Sequence, residues 1–386
     1  MNYIPYGRQD INQQDIDSVV EVLKSDFLTQ GPAVPKFEAL VSQYCNVAYS
    51  LAVNSATSAL HIACLALGIG PGDHVWTTPI TFVASANCAL YCGASIDFVD
   101  IDAKTFNMSV IELEKKLVLA EASGKLPKVV IPVHLSGQSC DMEAIASLAK
   151  RYGFFVIEDA SHAIGGRYKD EPIGNCRYSD ITVFSFHPVK IITTAEGGLA
   201  TTNNAALAKK MNLFRSHGIT RDLDEMTHAP DGPWYYQQIE LGYNYRMTEL
   251  QAALGVSQMQ RLDEFVAKRH EIAARYNQLL ASVDVLVPWQ HPDTYSGLHL
   301  YIVQVKPESG FSHLEVFQKL REANIGVNLH YIPVYLQPYY QQLNFSKGYC
   351  PAAEAYYANA ISLPMYTNLT EQQQEYVVEK LSSILH

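Results

Sequence analysis

A lysine between two runs of strand-forming residues is the first feature of this sequence that suggests chemistry. The stretch Phe184-Ser185-Phe186-His187-Pro188-Val189-Lys190-Ile191-Ile192-Thr193-Thr194-Ala195-Glu196-Gly197-Gly198 reads as a strand end, a short loop carrying Lys190, and a glycine pair returning the chain to another strand. Ligands of α/β sheets gather beyond the carboxyl ends of strands, and an amine there can form a Schiff base with a carbonyl. A solvated surface amine is the ordinary alternative for any lysine, but the neighbours favour chemistry. In Val156-Ile157-Glu158-Asp159-Ala160-Ser161-His162-Ala163 a strand leads straight to Asp159. That carboxylate is placed to keep a pyridine nitrogen protonated or, more plainly, to cap the following turn. His162, three residues on, would pack on a ring, bond its phenolic oxygen, or serve structure alone.

Two further pieces follow earlier strands. Val53-Asn54-Ser55-Ala56-Thr57-Ser58-Ala59-Leu60 runs from a strand into a helix whose first turn is small and hydroxylated. Unpaired N–H groups at such a helix start bind phosphate, although Ser and Thr open many helices without doing so. Ser185, five residues before Lys190, can add a hydroxyl. Phe82 in Thr78-Pro79-Ile80-Thr81-Phe82 would stack on a flat heteroaromatic ring or simply fill core. Together these pieces place a phosphate cradle, a stacking ring, a pyridinium partner and a Schiff-base lysine after successive strand ends. That is the outline of a pyridoxal 5′-phosphate (PLP) site.

The elements that must position them are legible as short apolar runs: Ser50–Val53, His74–Thr77, Ile96–Val99, Val129–His134, Phe154–Glu158, Ile181–Ser185 and Leu199–Thr202. Helical periodicity fills most gaps, over Ala56–Leu67, Phe82–Tyr91, Ile111–Leu119 and Met142–Arg151. Strands alternating with helices predict a mainly parallel seven-stranded sheet covered on both faces. Residues 203–246 read as irregular, Met247 to about Ala281 as a long helical stretch. A smaller α/β pattern follows, with a strand over Leu298–Val305 and helices over Leu314–Ala323 and Glu371–Ile384, the last opened by Asn368-Leu369-Thr370. The expected division is a large cofactor-binding domain with its N-terminal segment, residues 1–246, and a small C-terminal domain, residues 247–386.

Bulk properties narrow the class. The 386 residues are 48% hydrophobic and 17% charged, ordinary for a globular protein. A net charge of −11 disfavours nucleic acid or an anionic membrane as partner. Seven cysteines, an odd number with no CxxC pair, suggest reduced thiols and a cytoplasmic location. Cys88 and Cys92 are better explained by one helix than by a metal. The opening residues, Met1 to Asp17, are polar and charged, so no signal peptide is expected, and no apolar run suits a membrane span. Gly68-Ile69-Gly70-Pro71-Gly72-Asp73 imitates a dinucleotide fingerprint, but it follows a helix and reads as a helix stop. Neither HExxH nor GxSxG occurs.

At these residues the chain resembles the DegT/DnrJ/EryC1/StrS sugar aminotransferases. Further matching stretches are Phe27-Leu28-Thr29-Gln30-Gly31-Pro32, Pro132-Val133-His134-Leu135-Ser136-Gly137-Gln138, Arg215-Ser216-His217-Gly218 and Leu241-Gly242-Tyr243-Asn244-Tyr245-Arg246-Met247. The resemblance covers nearly the whole chain and implies a fold-type I PLP-dependent transferase. Within the family it is strongest to transaminases of pseudaminic acid biosynthesis. It implies that Lys190 carries PLP and shuttles the proton while Asp159 holds the pyridinium. It places Ala56, Thr57, Phe82, His162, Ser185 and Asn244 around the cofactor, and it implies L-glutamate as amino donor. The acceptor it implies is a UDP-linked 4-keto-6-deoxy-N-acetylhexose, aminated at C4. Tyr6, Leu28, Thr29, Ser55, Ser185, His187, Asn328, His330 and Tyr331 are the implied substrate contacts. Asn244 is implied to reach the cofactor phosphate of a partner subunit, making a homodimer with shared sites.

The sequence departs from the pattern at Ala56, where the family often has Gly. Family members with His at the lysine position remove hydroxyl groups, so Lys190 favours transamination. Rival readings are another 4-aminosugar transaminase of GDP-perosamine or dTDP type, an amino-acid aminotransferase, a lyase, a sugar dehydratase, and a PLP-binding regulator. Against an amino-acid aminotransferase, the small domain lacks a conspicuous carboxylate-binding arginine. It offers Arg321 and instead the polar-aromatic stretch Val327-Asn328-Leu329-His330-Tyr331-Ile332-Pro333.

Overall fold

The computed structural model describes residues 2–306 and 310–385; Met1, residues 307–309 and His386, all inside the expected domain spans, lie outside the described residues. All seven expected strands form one sheet. In spatial order they are Tyr49–Val53, Gly198–Thr202, Ile181–Ser185, Phe155–Asp159, Val129–Ile131, His74–Thr77 and Ser95–Phe98. Gly198–Thr202 runs antiparallel to both its neighbours, and the other pairings are parallel.

Alternation along each strand explains why these runs look continuously apolar. Leu51, Val53, Val75, Val129, Ile131, Ile157, Val183 and Ala200 enter one hydrophobic cluster, shared with the helices Ala56–Ala66, Ala84–Tyr91 and Ala205–Arg215. Ala52, Phe184 and Leu199 face a second cluster with the helix Ala33–Cys45, and Trp76, Val130 and Val156 a third with the helices Val110–Ser123 and Met142–Tyr152. With period two and both faces covered, almost every strand position is core.

The irregular reading of residues 203–246 is corrected by the helix Ala205–Arg215. Asn204 caps it, and it buries only Ala208, Met211 and Phe214, a stripe too thin to read beside two lysines. The long stretch after Met247 is two helices, Glu249–Met259 and Leu262–Leu279. The break falls at Arg261 (φ −109°, ψ 7°), whose guanidinium reaches Asp10 and Asp15. Met247 to Val266 pack under the large sheet, whereas Ile272 onward joins a separate core with Val303, Leu320 and Leu381. The two cores therefore meet inside Leu262–Leu279. Ile4 belongs to the second core, and a bridge from Ile4 to Ile325 lays the N-terminal segment across it. The last helix, Glu371–Leu385, opens on Thr370, whose hydroxyl accepts from the Gln373 N–H. Among the described residues no helix is long and apolar enough to cross a membrane.

Candidate active site

Register fixes the first half of the site. Ser185 pairs with Gly198, and Gly198 with Val53, so the ends of three strands form one row. Beyond Val53 the chain turns at Ser55, whose hydroxyl caps the Ala56–Ala66 helix by accepting from Ser58 N–H at 3.1 Å. Gly198 passes so close beneath this turn that a Cβ on it would lie 2.3 Å from Ala56 N. A side chain there would push the helix start away from the row. Ala56 N–H, Thr57 N–H and the hydroxyls of Thr57 and Ser185 have no partner among the described residues. They form a cluster of free donors at a helix start, suited to an anion.

Lys190 rises from the loop after Ser185, and both ends of that loop are fastened. Phe186 N–H donates to Gly197 O, and Phe186 O accepts from Thr194 N–H, each at 3.0 Å. Ile191 and Ile192 are buried immediately after the lysine. The Lys190 amine makes no hydrogen bond or ion pair among the described residues. Burial lowers its pKa to about 8, with Asp159 opposing the shift. A half-buried amine without a partner is poised to lose its proton and attack a carbonyl.

Asp159 ends its strand paired with Val183, two residues before Ser185 on the neighbouring strand. One carboxylate oxygen accepts from Ser85 Oγ at 2.6 Å and the other from Ser161 N–H at 3.1 Å. Its orientation is thus set from two sides. Ser136 N–H donates to His162 Nδ1 at 3.3 Å, which places the imidazole proton on Nε2, 3.1 Å from Tyr331 Oη. His162 stays neutral, because burial and then Lys190 and His330 hold its pKa well below the ordinary value. Phe82 is 60% exposed, yet it lines the cavity. An aromatic face left open inside a concave site is one that a flat ligand would cover.

The opposite wall comes from the N-terminal segment and the small core. Tyr6 lies 5.5 Å from the His330 ring, and Met365 N–H donates to Tyr6 O. Asn328 exchanges backbone hydrogen bonds with Ser362, whose hydroxyl meets His330 Nδ1 at 2.7 Å. Burial, followed by Lys190, lowers the His330 pKa to about 3.

The cavity encloses about 980 Å³, and every sequence-predicted site residue lines it except Leu28, Thr29 and Asn244. Leu28 and Thr29 sit on the exposed link between the first two helices, where Leu28 O accepts from Glu249 N–H. Asn244 pairs its backbone with Ser216 and is exposed. Ser85, Glu196, Gln251 and His299 also line the cavity although sequence reasoning did not single them out.

A family model described as the DegT/DnrJ/EryC1/StrS aminotransferase family matches residues 9–382. The chain belongs to that family. It is 38% identical over 388 residues to the spore coat polysaccharide biosynthesis protein SpsC of Bacillus subtilis, covering 100% of this chain and 97% of the relative. It is also 38% identical over 383 residues to the UDP-4-amino-4,6-dideoxy-N-acetyl-beta-L-altrosamine transaminase of Campylobacter jejuni, covering 99% and 97%. Among solved structures, Helicobacter pylori PseC, an aminotransferase involved in the biosynthesis of pseudoaminic acid, superposes with a TM-score of 0.91. Identity is 30%, and the match covers 100% of this chain and 99% of that one. The PLP-form of the putative sugar aminotransferase Spr1654 from Streptococcus pneumoniae gives a TM-score of 0.89 at 31% identity, covering 99% and 98%. The expected α/β transferase fold and the aminotransferase class therefore both hold.

Proposed function

We propose that this chain is a PLP-dependent transaminase that moves an amino group from L-glutamate to C4 of a UDP-linked 4-keto-6-deoxy-N-acetylhexose. The observation that carries the PLP reading is the unpartnered Lys190 amine in the same cavity as the doubly anchored Asp159. The residues present fit the cofactor. The free donors of Ala56, Thr57 and Ser185 suit its phosphate, the open Phe82 face its ring, and Asp159 its pyridine nitrogen. When bound, PLP supplies an electron sink for the bond broken at the donor's Cα.

The chain's own residues do the rest. Lys190 takes a proton from the donor carbon and returns it, which a nitrogen of pKa near 8 does well at neutral pH. Asp159 keeps its carboxylate aimed by accepting from Ser85 and Ser161. His162 holds Tyr331 through its Nε2 proton, and Tyr331 and Phe82, 6.4 Å apart between ring centres, line the same cavity as Lys190. Tyr6, Ser55, His187, Asn328 and His330 contact the sugar nucleotide in this reading.

The Campylobacter relative's name and the likeness to PseC support this acceptor. The working unit is a homodimer in which Asn244, with Leu28 and Thr29, completes the partner's site. In support, Asn244 is exposed, and so are the large apolar side chains of Leu241 (72%) and Trp234 (74%) earlier in the same stretch of chain. The experiment is a panel of UDP-, GDP- and dTDP-linked 4-keto sugars with glutamate, products read by mass. Fastest amination of the UDP-linked N-acetyl sugar supports the proposal. Faster amination of a GDP- or dTDP-linked sugar replaces it with a perosamine-type or other 4-aminosugar transaminase, and loss of hydroxyl without nitrogen gain indicates a dehydratase.

A further inference from the structure

An amino donor brings a carboxylate into this cavity, yet among its lining residues Lys190 is the one Lys or Arg, and the proposed reaction occupies it. The buried arginine Arg269 is spent elsewhere. Arg269 donates to the carbonyls of Leu298, His299 and Met365 at 3.2–3.3 Å. Its effect is to fix the turn that carries His299. Leu298 there has φ +47°, and His299 N–H donates to Ser136 O at 2.8 Å. The imidazole so fixed is 3% exposed, packs at 4.5 Å from the ring of His162, and lines the cavity.

The His299 imidazole has no hydrogen-bond partner among the described residues, and its Nδ1 is fully sealed. A sealed lone pair costs less than a sealed N–H, so the proton belongs on Nε2, the nitrogen that remains open. Burial, then His162 and Lys190, holds the pKa of His299 well below the ordinary value, so the ring is neutral. The site therefore contains a rigid, neutral N–H donor with nothing to bond.

We propose that His299 binds a carboxylate of the dicarboxylate amino donor through Nε2–H, doing with a neutral group what an arginine does in amino-acid aminotransferases. This rests on the transaminase reading above. The physical reason is that one cavity must take two substrates in turn. An arginine placed for glutamate would be stranded as an unpaired buried charge when a neutral sugar ring replaced it. An imidazole N–H is equally content against a carboxylate or a hydroxyl oxygen.

The test uses the holoenzyme and separates the two half-reactions. Glutarate, an unreactive dicarboxylate, is titrated by calorimetry, and KM is measured for glutamate and for the keto sugar. His299→Leu should weaken glutarate binding and raise the glutamate KM by about tenfold or more, the size of one hydrogen bond to a charged group. The sugar KM should move less than about threefold, and His299→Gln, which keeps an N–H donor, should recover part of the loss. Unchanged glutarate binding in His299→Leu overturns the proposal and points to a cation supplied by a second subunit. Equal losses for both substrates, or a Gln variant no better than Leu, also overturn it, because packing on His162 would then be the whole role. Wild-type protein that neither binds glutarate nor reacts with glutamate fails in a different place: the donor in the functional reading falls, and this proposal with it.

Discussion

The two walls of the cavity are built on different terms. The sheet-side wall, from Ser55 to Lys190, stands on the ends of hydrogen-bonded strands whose register leaves little freedom: Val53, Gly198 and Ser185 share a row, and Asp159 is paired to Val183 one strand further. The opposite wall is made of Tyr6, Asn328, His330 and Tyr331, carried by a terminal segment and by a loop that leaves the separate core at Val327 and packs Tyr331 against the large one. Leu28, Thr29 and Asn244 are exposed and do not line the chain's own cavity. Groups that break and make bonds need geometry held to a fraction of an ångström, and strand ends supply it. Groups that choose a substrate sit on elements that change without disturbing the sheet.

The largest effect should come from the first wall. Lys190→Ala should abolish the visible absorption of the lysine-bound cofactor and all detectable turnover, with the fold retained by circular dichroism. A variant that still transaminates would remove Lys190 from the centre of the comparison. Asp159→Asn should keep some PLP but slow the glutamate half-reaction by about a hundredfold, ~2.7 kcal/mol in the barrier. A slowing under about tenfold would mean that Asp159 is a turn cap and that its two anchoring hydrogen bonds serve only the fold.

The sheet-side wall was also the more legible one. A strand end, a turn and a reactive residue lie within a few positions, so Asp159, Ser185 and Lys190 can be read from local sequence. What stayed hidden depends on contacts across the fold. Ser85 orients Asp159 from 74 residues away, and no local pattern marks it. His299 looks like one more strand residue until Arg269 is seen to clamp its carbonyl. The helix Ala205–Arg215 was missed because three buried residues in eleven leave a faint stripe. The break in the long helix at Arg261 follows from ion pairs with Asp10 and Asp15, some 250 residues distant.

Subunit sharing is the point at which the second wall can be tested. Asn244→Asp alone should lose most activity, since a carboxylate would repel the phosphate. Mixing it with Lys190→Ala and allowing subunits to re-assort should restore activity. Half the dimers are then mixed, and each mixed dimer has one intact site, so about a quarter of wild-type sites return. If each site were built from one chain, every site would keep a fault and mixing would restore nothing.

The smallest effect concerns the cost of holding Lys190 without a partner. In the cofactor-free protein its pKa is lowered from 10.5 to about 8 by burial. Below pH 8 both folded and unfolded chains hold the proton, and the folded chain carries the full penalty of a desolvated ammonium. Between about pH 8 and 10.5 the folded chain sheds the proton while the unfolded chain keeps it, so stability attributable to this residue rises with pH across that window. Lys190→Met keeps the apolar stem and removes the titration. At pH 7 the cofactor-free variant should therefore melt a few degrees above cofactor-free wild type, on the scale of about 1 kcal/mol in a chain of this size. The gap should close as pH rises through that window. A gap that persists unchanged at pH 10.5 would mean that Met stabilises by packing alone. A variant melting below wild type at pH 7 would mean that the ammonium is satisfied where it sits, by water or by Asp159. The sheet-side wall would then hold its lysine at no cost, and its readiness to lose a proton would need another source.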